Sequence, residues 1–239
     1  MKIFKKISIH LILFAFFFMN STNVFAGTAK ATNYINTVYA MMLCEIGSTL
    51  TNCSNPLMLR TTPAGMDMNI GGVDAGKSAG NYGNLNVLPK GTVYTHGQVV
   101  LSRQFTISGS NGSCQTSTTG AAGTATAWAV GESGTSTTAI QIVYAGDGTG
   151  MSTYMYSSSH KDETATGDSA DGALDAGDLY MKFRWALAKA YAYDGIKMPK
   201  MTIAFDLSSG ITFNGTCGGA AGTTHGIYPT APKVTSTIE

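Results

Sequence analysis

The hydrophobic positions after residue 30 fall into short runs that alternate with polar ones. Tyr34 to Cys44 places Ile35, Thr37, Tyr39, Met41 and Leu43 on one side of an extended chain and Val38, Ala40, Met42 and Cys44 on the other. Apolar residues on both sides predict a central strand covered on both faces. Leu57 to Leu59 and Asp67 to Ile70 predict two short strands, the first after the Asn55-Pro56 turn. A strand is predicted from about Val93 to Ile107, with a break at Ser102-Arg103. Thr124 to Val130 and Thr138 to Ala145 read as a hairpin across Gly131-Glu132-Ser133-Gly134, with Trp128 as its large anchor. Met151 to Tyr156, Met201 to Leu207 and Ile211 to Phe213 read as further strands.

One segment has a different period. From Asp178 to Tyr193, Leu179, Phe183, Leu187 and Tyr191 recur every four residues, and Asp194-Gly195 and Pro199 follow as stop signals. The spacing predicts a single helix over 178–193. Short strands about ten residues apart, divided by Gly, Ser and Pro turns, with no βαβ alternation, make the expected fold mainly β: an antiparallel β-sandwich carrying that one helix.

The first residues follow another logic. Lys2, Lys5 and Lys6 precede an almost wholly apolar run from Ile7 to Phe18, and a polar stretch ends in Val24-Phe25-Ala26. This is the layout of an export signal cut before Gly27, and the run is short of the ~20 residues that span a bilayer. The expectation is a signal peptide over 1–26 and one exported β-rich domain over 27–239, with a sub-boundary near 108–123. Its destination is the periplasm, cell surface or extracellular space. No later run is long enough to cross a membrane as a helix, whereas the strands of a membrane barrel would signal only weakly.

Composition narrows the function. Charged residues make up 12% and hydrophobic ones 44% of 239 residues, which argues against disorder. Lys+Arg at 15 against Asp+Glu at 14 leaves no basic excess for nucleic acid. Four cysteines, Cys44, Cys53, Cys114 and Cys217, allow three pairings in an exported chain. Cys44 with Cys53 across a short turn-rich loop, and Cys114 with Cys217, is the pairing expected.

Catalytic motifs fail one by one. Gly167-Asp168-Ser169 resembles the nucleophile block of a lipase/esterase family, but no apolar strand precedes it. His225 also lacks the family's Asp three residues earlier. Ser158-Ser159-His160-Lys161 matches S-x-x-K without its partner motifs. Asp171, Asp175 and Asp178 fit three slots of a calcium loop with Gly172 at the sharp turn, although Gly167 and Ser169 stand where carboxylates are needed. Calcium is therefore the one cofactor the sequence raises. Tyr154, Tyr156 and Trp185 are candidates for a sugar-stacking group.

Leu88-Pro89-Lys90-Gly91-Thr92-Val93-Tyr94, leading into Val99-Val100-Leu101, resembles the proline, glycine, tyrosine, then strand lead-in of exported bacterial sandwich domains of the immunoglobulin-like or prealbumin-like kind. The resemblance spans about residues 34–107 and departs from the usual pattern in having two residues between glycine and tyrosine. It implies a sandwich fold and a surface or matrix role, and it carries no catalytic residue. The expected function is a non-enzymatic cell-envelope protein, a surface-structure or filament subunit or an adhesive module, self-associating through sheet edges or binding other envelope proteins. A periplasmic carbohydrate or small-solute binder is the second reading, and a hydrolase the third.

Overall fold

The structure, a computed structural model, describes residues 24–25, 27–50, 52–73, 83–112, 114–117, 123, 129–132, 141–144, 155–158, 180–217 and 224–239. It is built from antiparallel strands, with one 3-10 turn at Leu85–Val87 and no α-helix among the described residues. The principal sheet has the order β4 (Leu57–Asn69), β3 (Ala31–Glu45), β5 (Val93–Asn111), β10 (Tyr180–Ala192), β9 (Met155–Ser158). Two short strands, β6 (Cys114–Gln115) and β8 (Gln141–Tyr144), also pair with β5.

A second layer covers one face of this sheet. It contains β2 (Thr28–Ala29), β12 (Ile211–Asn214), β14 (Thr224–Pro229) and β7 (Ala129–Glu132) in that order. Beside them, β11 (Met201–Asp206) pairs with β15 (Lys233–Ile238). A minor pair joins β1 (Val24–Phe25), which falls inside the 1–26 segment read from the sequence as an export signal, to β13 (Thr216–Cys217). The sandwich expectation holds.

Register explains where the core lies, because residues opposite each other across a ladder share a face. Leu43, Gly97 and Trp185 form one row, Met41, Val99 and Phe183 the next, and Val38, Leu101 and Met181 a third. This face meets Ile203 and Leu207 at β11 and Ile211, Phe213 and Ile227 from β12 and β14 in a single apolar core. The opposite face is also covered: Ala40, Met42 and Val100 are buried there, with Tyr39 and Tyr180 packed against them at 4.8 Å between ring centroids. The sequence reading of a strand covered on both sides fits β3, which lies between β4 and β5.

The helix expected over 178–193 is instead the strand β10. A spacing of four is a multiple of the strand period of two as well as close to a helical turn, so Phe183 and Leu187 share a face in either form. Met181 and Trp185 join them on the core face, while Lys182 and Arg184 are buried on the other. Burial on both sides over Met181–Trp185 suits a strand paired with β5 and β9, and pairing with β5 on either side of the irregularity between Ala186 and Tyr191 carries the strand through alanines that favour a helix.

Other elements differ in partner. Leu57–Leu59 and Asp67–Ile70 are not separate strands: residues 57–69 are one bent strand, its register with β3 shifting between Val38 and Ala40. Gly65 lies in that bend at φ +79°, and a Cβ there would run into Thr37 and Tyr39. β7 and β8 are not a hairpin, since β7 pairs with β14 and β8 with β5. Likewise β11 and β12 belong to different ladders. The break foreseen at Ser102-Arg103 is present, as β3 meets Leu101 at Val38 and Phe105 at Asn36, two residues against four.

Candidate functional site

The sequence candidates scatter. Asp171, Asp175, Asp178 and Tyr154 lie outside the described residues, and so does the side chain of Tyr156. Among the described residues no group of three or more His, Cys, Asp or Glu could hold a metal ion. Cys44 and Cys53 form a disulfide. Cys114 is disulfide-bonded as well, while the side chain at 217 lies outside the described residues. Trp185 is buried, stacked on Phe183 at 5.7 Å, and its Nε1 donates to Ser236 Oγ at 2.7 Å. It therefore presents no ring face at the surface for a sugar.

Three arrangements remain. The first lies under the disulfide loop. Ser48 Oγ donates to the Glu45 carbonyl at 2.6 Å and accepts from Ser54 N at 2.9 Å, which folds residues 45–54 into a compact turn. That turn lies over the outer face of the sheet, where Arg184 Nη1 donates to the Leu50 carbonyl at 3.1 Å. Arg184 Nη2 donates to Gln98 Oε1, and Gln98 Nε2 reaches Met42 Sδ at 3.0 Å. Arg184 is 1% exposed, so the loop holds a guanidinium within the protein. His96 stands beside it, its Nδ1 2.9 Å from Thr95 Oγ1. Burial and then the Arg184 charge push the His96 pKa below its usual 6.5.

The second arrangement is His225 on β14. Its Nε2 lies 3.2 Å from the Gln115 carbonyl and its ring meets Phe213 edge-on at 5.3 Å. Burial lowers its pKa, and the Gln115 carbonyl partly offsets this. The ring thus bridges the second layer to β6 next to Cys114.

The third is a cavity of about 70 Å³ between the two layers. Buried Val38, Val99, Phe105 and Phe183 and half-buried Met68, Ile70 and Phe205 line it. Asn36 is the polar exception on this core face. Its Nδ2 donates to the Ser102 and Gln104 carbonyls at 2.8 and 2.9 Å, closing the bulge in β5, while its Oδ1 is buried with no hydrogen-bond partner. Nearby, Tyr34 donates its hydroxyl to the Thr230 carbonyl at 2.9 Å.

The surface carries a further feature that no motif marks. The large hydrophobic residues exposed among the described ones are Ile46, Met58, Val87, Ile196 and Met198. Topology gathers all of them at one end of the principal sheet, where β3 and β10 finish and β4 and β5 begin. Cross-links tie that end together: Ile46 N donates to the Val93 carbonyl at 2.9 Å and Gly91 N to the Tyr193 carbonyl at 2.9 Å. Asn84 N also donates to the Leu59 carbonyl at 3.0 Å. No family model, curated protein or solved structure matches this chain.

Proposed function

We propose that the chain is a non-enzymatic, exported β-sandwich of the cell envelope, a surface-structure subunit whose copies pack through the apolar end of the principal sheet. The observation that carries this reading is the gathering of Ile46, Met58, Val87, Ile196 and Met198 at that end, with Ile196 at 86% and Ile46 at 65% exposed. Scattered apolar side chains are ordinary on a surface, whereas five that topology collects at one end of a sheet favour a contact there. The oxidised loop and the buried Arg184 beneath it make the platform rigid, so little conformational entropy is lost when it docks.

Sheet edges are a weaker route for assembly. β4 is the outermost strand on its side, yet it carries Pro63, a bend at Gly65 and the exposed Asp67. Those are devices that discourage strand addition. The carbohydrate-binding alternative loses its main aromatic, because Trp185 is enclosed.

Sedimentation velocity of the signal-free chain over rising concentration tests the proposal. It predicts self-association that the double substitution Ile196→Lys, Met198→Lys weakens about tenfold or more while the melting temperature holds, both side chains being exposed. Compact monomers at every concentration would count decisively against it.

A further inference from the structure

The cavity between the layers is independent of that apolar end. Protein interiors pack nearly as densely as organic crystals, so a gap of about 70 Å³ in the main core is a departure. At about 10–15 Å³ for each water-sized position, it has room for roughly five to seven heavy atoms. Its lining is apolar, which disfavours a cluster of waters, since each water needs two to four polar partners. It also disfavours a sugar, whose hydroxyls would lose their hydrogen bonds.

Asn36, one of the lining residues, nevertheless carries an unanswered acceptor. Asn36 is 7% exposed, its amide nitrogen is committed to the Ser102 and Gln104 carbonyls, and its Oδ1 has no partner. A buried acceptor left unpaired has given up its hydrogen bond to water with nothing in return. A ligand that supplies a donor there makes good that loss.

The geometry points to a binding site for a small, mostly hydrocarbon molecule bearing a single hydrogen-bond donor, the size of a phenol or a short-chain alcohol, with its hydroxyl on Asn36 Oδ1. The Oδ1 atom has under 1 Å² exposed, so seating the hydroxyl requires a neighbouring side chain to yield. Met41 and Met68 line the cavity and are unbranched, so they re-pack at low cost. The half-buried Ile70 and Phe205 give the ligand its way in.

Isothermal titration calorimetry of the purified full chain with phenol and with toluene tests this directly. The two probes have similar bulk and differ in the donor. Phenol is expected to bind saturably at one site, and toluene about tenfold more weakly, the worth of one hydrogen bond. Leu101→Phe and Ile70→Phe, each placing a ring in the cavity from a half-buried position, are expected to abolish the phenol signal. Unchanged melting behaviour would show that the fold survives each substitution. Non-saturable heats with phenol, equal affinity for toluene, or full binding by folded Leu101→Phe and Ile70→Phe would each overturn the proposal.

Discussion

Trp185 lies against the bare backbone of Gly97: a Cβ at position 97 would fall 2.5 Å from the indole Cζ2. The two residues face each other across the β5–β10 ladder, and the indole Nε1 reaches the second layer at Ser236. One side chain therefore sets the spacing of both layers, and it does so because its cross-strand neighbour has no side chain. Gly97→Ala is expected to overpack this contact and cost about 1–3 kcal/mol in denaturant unfolding. Trp185→Phe, which keeps a ring but leaves Ser236 without its donor, should cost about 1–3 kcal/mol as well. A Gly97→Ala protein as stable as the parent would show that the ring has room to move.

The disulfide and Arg184 act on one loop, so their losses should not add. Replacing Cys44 and Cys53 by alanine removes a bond of sequence separation 9 and is expected to cost about 2–3 kcal/mol in the chain-entropy picture. Arg184→Met leaves the Leu50 carbonyl and Gln98 without their donor and should cost about 1–3 kcal/mol. In the combined variant the loop is already loose when the guanidinium is removed. The joint loss should fall short of the sum by at least about 0.5 kcal/mol. Strict additivity in urea melts would mean that the loop and the arginine are independent.

Acid should weaken the fold through two histidines. Burial lowers the pKa of both His96 and His225 from 6.5, so near that pH the unfolded chain takes up protons that the folded chain refuses. Their contribution is complete above about pH 6.5 and is lost as pH falls through the lower folded-state values. Asp206, held below 3.8 by hydrogen bonds from Ser208, contributes only in a more acidic window. The melting temperature should therefore drop between pH 7.5 and 5, and His225→Gln should flatten that slope even though it lowers the starting value. A slope unchanged by His225→Gln together with His96→Gln would place the acid sensitivity elsewhere.

Much of the sheet was legible in the residues. Tyr34 to Cys44 announces itself because both of its faces are apolar, Val93 to Ile107 because Val99, Leu101, Phe105 and Ile107 recur at alternate positions, and the Ser102-Arg103 break marks a bulge that Asn36 fills. β10 was misread because Phe183 and Leu187 are four apart, a spacing common to both periods. β15 escaped notice because it is covered on one side only, so that Ser236 and flanking threonines hide it. Partner choice was invisible: β11 and β12 are neighbours in sequence yet lie in different ladders, and only long-range packing decides that. The cavity and the apolar end were equally hidden, since Asn36 and Ile196 look like unremarkable loop or strand residues until the layers close around one and leave the other outside.

The proposed copy-to-copy contact is best tested by hydrogen–deuterium exchange, comparing the protein at high concentration with its Ile196→Lys, Met198→Lys variant. The account predicts added protection at residues 46, 85–87 and 194–198, with the outer strand β4 unchanged over Met66–Asn69. Added protection along Met66–Asn69 with none at the apolar end would contradict it and place assembly on the sheet edge.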